Sequence, residues 1–251
     1  MEQISITRVL AKLDAYFAKN DYDGAEKHLL YWLEECRLIN DKKGELLITN
    51  ELIGLYRKLD KRIQCLGMVQ SAMDLVERMN IQENVGAATT YLNCGTAYKA
   101  LKLPGLALPL FEQALVIYER ELPEEDARRG GLYNNMALTL ADLHRFEDAY
   151  QYFESAIFIM SEQNLWLEVA ITYMNIADTK VEELGLEASE SIVKDYLNQA
   201  STLLDAWPNR DGYYAFVCEK CAAGFGAHGY FVYKDELLKR ARDIYEGNAT
   251  M

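Results

Sequence analysis

Apolar residues recur along this chain at helical spacing and in a fixed order. Tyr91, Cys94, Gly95 and Tyr98 fall three or four residues apart, then a polar break intervenes, then Ala107, Phe111 and Ala114 follow. The same order returns as Tyr133, Met136, Ala137 and Leu140, then Ala149, Phe153 and Ala156. A looser copy reads Val9, Leu13, Tyr16, then Ala25, Leu29, Trp32; another reads Leu52, Ile53, Tyr56, then Cys65, Val69, Ala72. Aligning Tyr16, Tyr56, Tyr98, Leu140, Lys180 and Cys221 gives steps of 40, 42, 42, 40 and 41 residues. A period in this range marks stacked supersecondary units, because no single helix pair buries its apolar face alone.

The polar breaks "KNDYDG", "INDKKG", "LPEEDARRGG", "SEQN" and "WPNRDG" place the pairs near 4–39, 42–79, 83–120, 125–162, 165–206 and 209–247. Several breaks set Asp, Asn or Ser ahead of a helix, as N-caps do. A small residue such as Gly95 or Ala137 lets the first helix approach the second, at the small residue twelve places on, Ala107 or Ala149. Pro109 is expected to loosen or kink its helix near Gly105. The fifth repeat carries about four extra residues before its second helix, lengthening a helix or a turn. The last segment, "KDELLKRARDIYEG", has one apolar and one charged face and is expected to cap and complete the stack.

The run from Tyr91 to Phe111 resembles the tetratricopeptide (TPR) consensus, a large residue before Leu-Gly and Tyr, then Ala and Phe at a spacing of four. The long period is similar to the extended repeats of kinesin light chain, spindle-orientation adaptors and bacterial peptide-pheromone sensors. The expected fold is therefore all-α: a right-handed superhelical solenoid of about six antiparallel helix pairs, one TPR-like domain over residues 1–251.

Composition supports this and narrows the partners. Leu, Ala, Glu and Tyr are the commonest residues, and only 4 prolines occur. The formal charge of −13 disfavours nucleic acid and anionic membrane; its plain reading is solubility, and a basic partner is the sharper one. No apolar run reaches the ~20 residues a membrane span needs, and the N-terminus does not read as a signal peptide. The 5 cysteines have no framework spacing and fit a reducing, cytoplasmic setting.

Candidate chemistry lies on the first helices, opposite their packed side, on stripes at offsets of 4, 7 and 11 residues. These read Thr89, Asn93, Thr96, Ala100; then Gly131, Asn135, Leu138, Asp142; then Ile171, Asn175, Asp178, Glu182. Asn93, Asn135 and Asn175 thus face one groove, where an amide can pair both ways with extended backbone. The resemblance implies the same use, since the adaptors and sensors place asparagines there. The other reading is that the asparagines bond between neighbouring repeats or face water. At the matching places of the first, second and sixth repeats stand Ala11, Glu51 and Phe216. Arg57, Lys58 and Lys99 lie toward one end of the groove, and Asp142, Asp178, Glu182 and Glu219 toward the other. The candidate ligand-binding set is Asn93, Asn135, Asn175, Thr96, Lys99, Asp142, Asp178 and Glu182.

Other motifs yield less. Cys218 and Cys221 make half a zinc site at most and occupy core slots of the repeat. The glycines of "AAGFGAHGY" join helix to helix rather than strand to helix, unlike a phosphate loop. No catalytic constellation, cofactor motif or metal set is read. The sequence points to a non-enzymatic interaction module holding a peptide or protein segment in its groove. The alternative is a regulatory or substrate-recruiting subunit of an enzyme complex. Apolar and aromatic repeat faces also permit a homo-oligomer.

Overall fold

The computed structural model describes residues 4–247, and among these it contains helices and turns without a strand. In chain order the helices are α1 (Ile6–Phe17), α2 (Tyr22–Leu38), α3 (Lys42–Lys58), α4 (Arg62–Arg78), α5 (Val85–Ala100) and α6 (Pro104–Glu121). They continue as α7 (Ala127–Asp142), α8 (Phe146–Glu162), α9 (Trp166–Leu184), α10 (Leu186–Ala206), α11 (Gly212–Ala227) and α12 (Phe231–Tyr245). The chain divides into two compact units, Met1–Leu122 with α1 to α6 and Pro123–Met251 with α7 to α12. In each unit, helices pack as consecutive pairs, and first helices also pack on first helices: α3 on α5, α7 on α9, α9 on α11.

The turns follow from a repeated local device. Asn20, Asn40, Asp60, Asn80, Lys102, His144 and Asn164 all have positive φ, between 53° and 59°. Each stops a helix in the left-handed conformation that Asn and Asp tolerate best after Gly. The next amide then reaches back five residues: Asp21 to the Tyr16 carbonyl, Asp41 to Cys36, Lys61 to Tyr56 and Arg145 to Leu140. The residue that closes one helix often caps the next. Asp21 accepts from the Gly24 amide at 2.8 Å, and Asp41 from Gly44 at 3.0 Å. Asn84 and Asp211 cap α5 and α11 in the same way.

The repeat slots are the core. Ala25, Ala72, Ala107, Phe111, Ala114, Ala137, Ala149, Phe153 and Ala156 have no exposed surface, and neither do Cys36, Cys65, Cys94 and Cys218. A Cβ on Gly95 would stand 2.6 Å from a ring carbon of Phe111. Gly95 therefore makes room for the Phe111 ring of the second helix, rather than only for Ala107 as the spacing suggested. The offset of twelve holds elsewhere: the Cys65 thiol lies 3.8 Å from the Ile53 carbonyl oxygen.

Two irregular places are also resolved. α6 begins with Pro104 at its first turn and runs as one helix through Pro109 to Glu121. The added residues of the fifth repeat lengthen both its helices, to 19 residues in α9 and 21 in α10. A single residue, Gly185 at φ 80°, joins them. At the C-terminal end, α12 buries Leu237 and Ala241 against α11. No helix among the described residues is long and apolar enough to cross a membrane.

Candidate functional site

The asparagines of the stripe are placed by helices whose opposite sides are packed. Asn93 sits on α5 between buried Tyr91 and buried Cys94, half-exposed itself. Its amide nitrogen donates to the side-chain oxygen of Asn50 on α3 at 2.9 Å. Asn50 in turn donates to the Leu46 carbonyl of its own helix at 3.0 Å and to the Thr90 hydroxyl of α5 at 3.1 Å. Thr90 passes the chain on to the Gly86 carbonyl. The second and third repeats are thus tied by a run of side-chain bonds between α3 and α5.

The second unit repeats the arrangement. Asn175 of α9 donates to the side-chain oxygen of Asn134 on α7 at 3.1 Å. Asn135 does not join it. The Asn135 amide instead bonds back to the Gly131 carbonyl of its own helix at 2.9 Å. The partners Asn50 and Asn134 occupy the position one before the stripe, in the second and fourth repeats. At that position the third repeat has Leu92. Asn93 lies in one unit, and Asn135 and Asn175 lie in the other. The partner asparagines were missed because they lie off the stripe; their signal was their recurrence at one register.

Of the other expected residues, Thr96, Asp178 and Glu182 are engaged within the protein. Thr96 donates to the Leu92 carbonyl at 2.8 Å. Lys99 is half-exposed on α5. Asp178 meets the ring Nε2 of His228 at 2.7 Å, and Glu182 lies 3.8 Å from His144 Nδ1. Asp142 is half-exposed at the end of α7. Each acidic contact joins a turn to α9, so part of the acidic side of the second unit tethers repeats.

A groove opens over the α3–α5 seam of the first unit. It has a volume of about 530 Å³ and its lining includes the polar floor Asn50, Thr90 and Asn93. Leu46, Leu47, Met79 and Ile81 supply apolar walls. Leu47 is 41% exposed, an apolar side chain left facing the opening. Glu51 also faces this space. Burial, reinforced by Asp14 on α1, holds the Glu51 carboxyl above its ordinary range. One turn on, a Cβ built at Gly54 would meet no atom within 4 Å, so the α3 surface is open there too.

The cysteine pair of α11 has a different environment. Cys218 and Cys221 are buried among Ala215, Ala222, Phe225 and Leu237. Burial pushes their thiols up to about 11 and about 12. Among the described residues, no group of three or more His, Cys, Asp or Glu is arranged to hold a metal ion.

No protein-family model and no curated protein sequence matches the chain. Solved structures do match in fold. A Podosopora anserina protein assigned as a kinesin light chain with nearly identical TPR-like repeats aligns with 82% of this chain and 97% of its own, at 15% identity and a TM-score of 0.55. BtubC (BKLC) from P. vanneervenii aligns with 99% of this chain and 94% of its own, at 16% identity and a TM-score of 0.50. A Rap protein complexed with competence and sporulation factor aligns with 94% of this chain and 62% of its own, at 13% identity and a TM-score of 0.59. The all-helical pairs described above thus share the fold of TPR-like repeat proteins.

Proposed function

We propose that this protein is an interaction module that binds a peptide or an extended protein segment, with the α3–α5 groove as its principal site. The observation that carries this reading is the groove itself: about 530 Å³ over a seam of first helices, apolar in its walls and polar along its floor. A polypeptide needs both, apolar surface for its side chains and amide partners for its backbone. The floor amides are already bonded to one another, so they act as an oriented polar strip whose remaining lone pairs and N–H groups face a guest. Each backbone bond contributes ~1 kcal/mol, and the apolar walls must supply most of the affinity. The Rap protein, whose structure contains a bound factor, lends the reading support by likeness of fold. Asn135, Asn175, Asp142, Asp178 and Glu182 are assigned a lesser share, as the corresponding stripe of the second unit. An intracellular setting suits five free buried thiols.

The test is selection of a random decapeptide library on wild type and on Leu47→Arg. The substitution puts bulk and charge into the groove at an exposed position, so the melt should not change. Sequences enriched by wild type should be lost on the variant. Equal enrichment by both would overturn the groove as the site.

A second reading, recruitment of an enzyme or another copy through the second helices, has one observation in its favour. Ile63 of α4, Val116 of α6, Phe158 of α8 and Val232 of α12 are apolar and 63–86% exposed. Replacing Ile63 and Val116 by Ser in the first unit, or Phe158 and Val232 in the second, would weaken capture of such a partner and leave peptide selection intact.

A further inference from the structure

We propose that the α3–α5 groove contains a subsite for a cationic side chain, a lysine ammonium or an arginine guanidinium carried by the bound segment, with Glu51 as its counter-ion. This deepens the groove reading and rests on it.

Glu51 is half-buried and faces the groove, yet it makes no hydrogen bond or ion pair with any described residue. Two other shielded carboxylates of the same unit are met by cations. Glu45, two turns earlier on α3, is met by Arg37 and by Lys42, each at 3.0 Å. Those partners hold the Glu45 carboxyl below its ordinary range despite burial. Glu26 of α2 is paired with Lys61 at 2.5 Å. A carboxylate partly removed from water without a partner is costly, and Asp14 adds a like charge nearby. A site that keeps such a group is poised for a positive guest.

The surroundings match a lysine or arginine rather than a bare cation. Leu46, Leu47, Met79 and Ile81 offer a path for the methylene stem, and Asn50, Thr90 and Asn93 offer oxygens beside the charged head. Of the chain's own cations, Lys43 lines the same groove at its far end and makes no ion pair with Glu51. Lys43 lies two turns before Glu51 and Lys58 two turns after it, roughly 10–12 Å along the helix axis. Lys58 rests over the ring of Tyr22, its ammonium 4.7 Å from the centroid. A net charge of −13 favours the approach of a basic segment to the whole protein.

The experiment uses four acetylated, amidated decapeptides of alternating Ala and Leu that differ at one central residue: Lys, Arg, norleucine or Glu. Binding is measured by titration calorimetry to wild type, Glu51→Gln and the exposed control Glu187→Gln, with thermal melts confirming that all three fold. The Lys and Arg peptides should bind wild type about tenfold more tightly than the norleucine peptide, and the Glu peptide least. That advantage should fall to within about twofold in Glu51→Gln and persist in Glu187→Gln. It should also shrink as salt rises from roughly 50 to 500 mM. Equal binding of the Lys and norleucine peptides to wild type, or an advantage that survives Glu51→Gln, overturns the subsite. If the norleucine peptide binds and Leu47→Arg abolishes it, the groove stands and only the cation subsite falls. If no decapeptide binds, both fall.

Discussion

Asn93 of the third repeat donates a hydrogen bond to Asn50 of the second, 43 residues earlier, at 2.9 Å. The bond spans two first helices, and its counterpart in the second unit joins Asn175 to Asn134 at 3.1 Å. An asparagine in a helix interior costs ~0.5 kcal/mol relative to alanine, and an inter-repeat bond offsets that cost.

The three stripe asparagines should therefore behave differently when truncated. Asn93→Ala and Asn175→Ala should each destabilise their unit by ~0.5–1 kcal/mol, the lost bond outweighing the gain in helix propensity. Asn135→Ala should be neutral or stabilising by ~0.5 kcal/mol, because its bond to the Gly131 carbonyl is local to its own helix. A double-mutant cycle on Asn50 and Asn93 should give a coupling of ~0.5–1 kcal/mol. Equal effects at all three positions would contradict the pairing.

Glycines on α5 and α3 should respond in opposite directions. Gly95→Ala places a methyl 2.6 Å from the Phe111 ring and should cost ~1–3 kcal/mol, more than the propensity gain returns. Gly54→Ala meets nothing within 4 Å and should stabilise by ~0.5–1 kcal/mol. Ala137, fully buried, should tolerate Leu no better than Gly95 tolerates Ala, at ~1–3 kcal/mol. Urea midpoints for the three variants decide the matter.

Glu51→Gln should raise the melting temperature at neutral pH. The folded carboxyl titrates above its ordinary value of 4.5, because burial and Asp14 disfavour its charge. Below that value it is protonated both folded and unfolded and exacts no penalty. As pH rises the unfolded chain ionises first, and the penalty grows until the folded group ionises as well. The stabilisation by Gln should accordingly be present at pH 7, shrink as pH falls toward 4.5, and be absent at pH 3. A gain that is the same at pH 3 and pH 7 would show that the charge is not its cause.

The thiols of α11 should be inert. With Cys218 and Cys221 pushed up to about 11 and about 12, almost no thiolate exists at pH 8. Ellman's reagent should label the native protein slowly and all five cysteines promptly in urea. A chelator should leave the melt unchanged. Prompt labelling of two thiols in the native state, or a chelator-induced fall in the melt, would reverse the assignment to the core.

The elements and their order follow from local sequence. Helix and turn are local matters: Asn20, Asn40, Asp60 and Asn80 recur every twenty residues because each adopts a left-handed stop that its own side chain favours. The buried slots were equally legible, since Ala107, Phe111 and Ala114 must share one helix face whatever they pack against. The charge stripe was legible as a stripe. What each stripe residue does was decided by the tertiary structure. Whether Asn93 faces a guest or Asn50 depends on how far α3 and α5 are offset along their axes, which the repeat length alone does not set. The same offset leaves Glu51 unpaired over a groove while Glu45, two turns away on the same helix, reaches both Arg37 and Lys42. A hydrogen bond or an ion pair forms only within about 1 Å of its ideal length, and only packed side chains fix positions that finely.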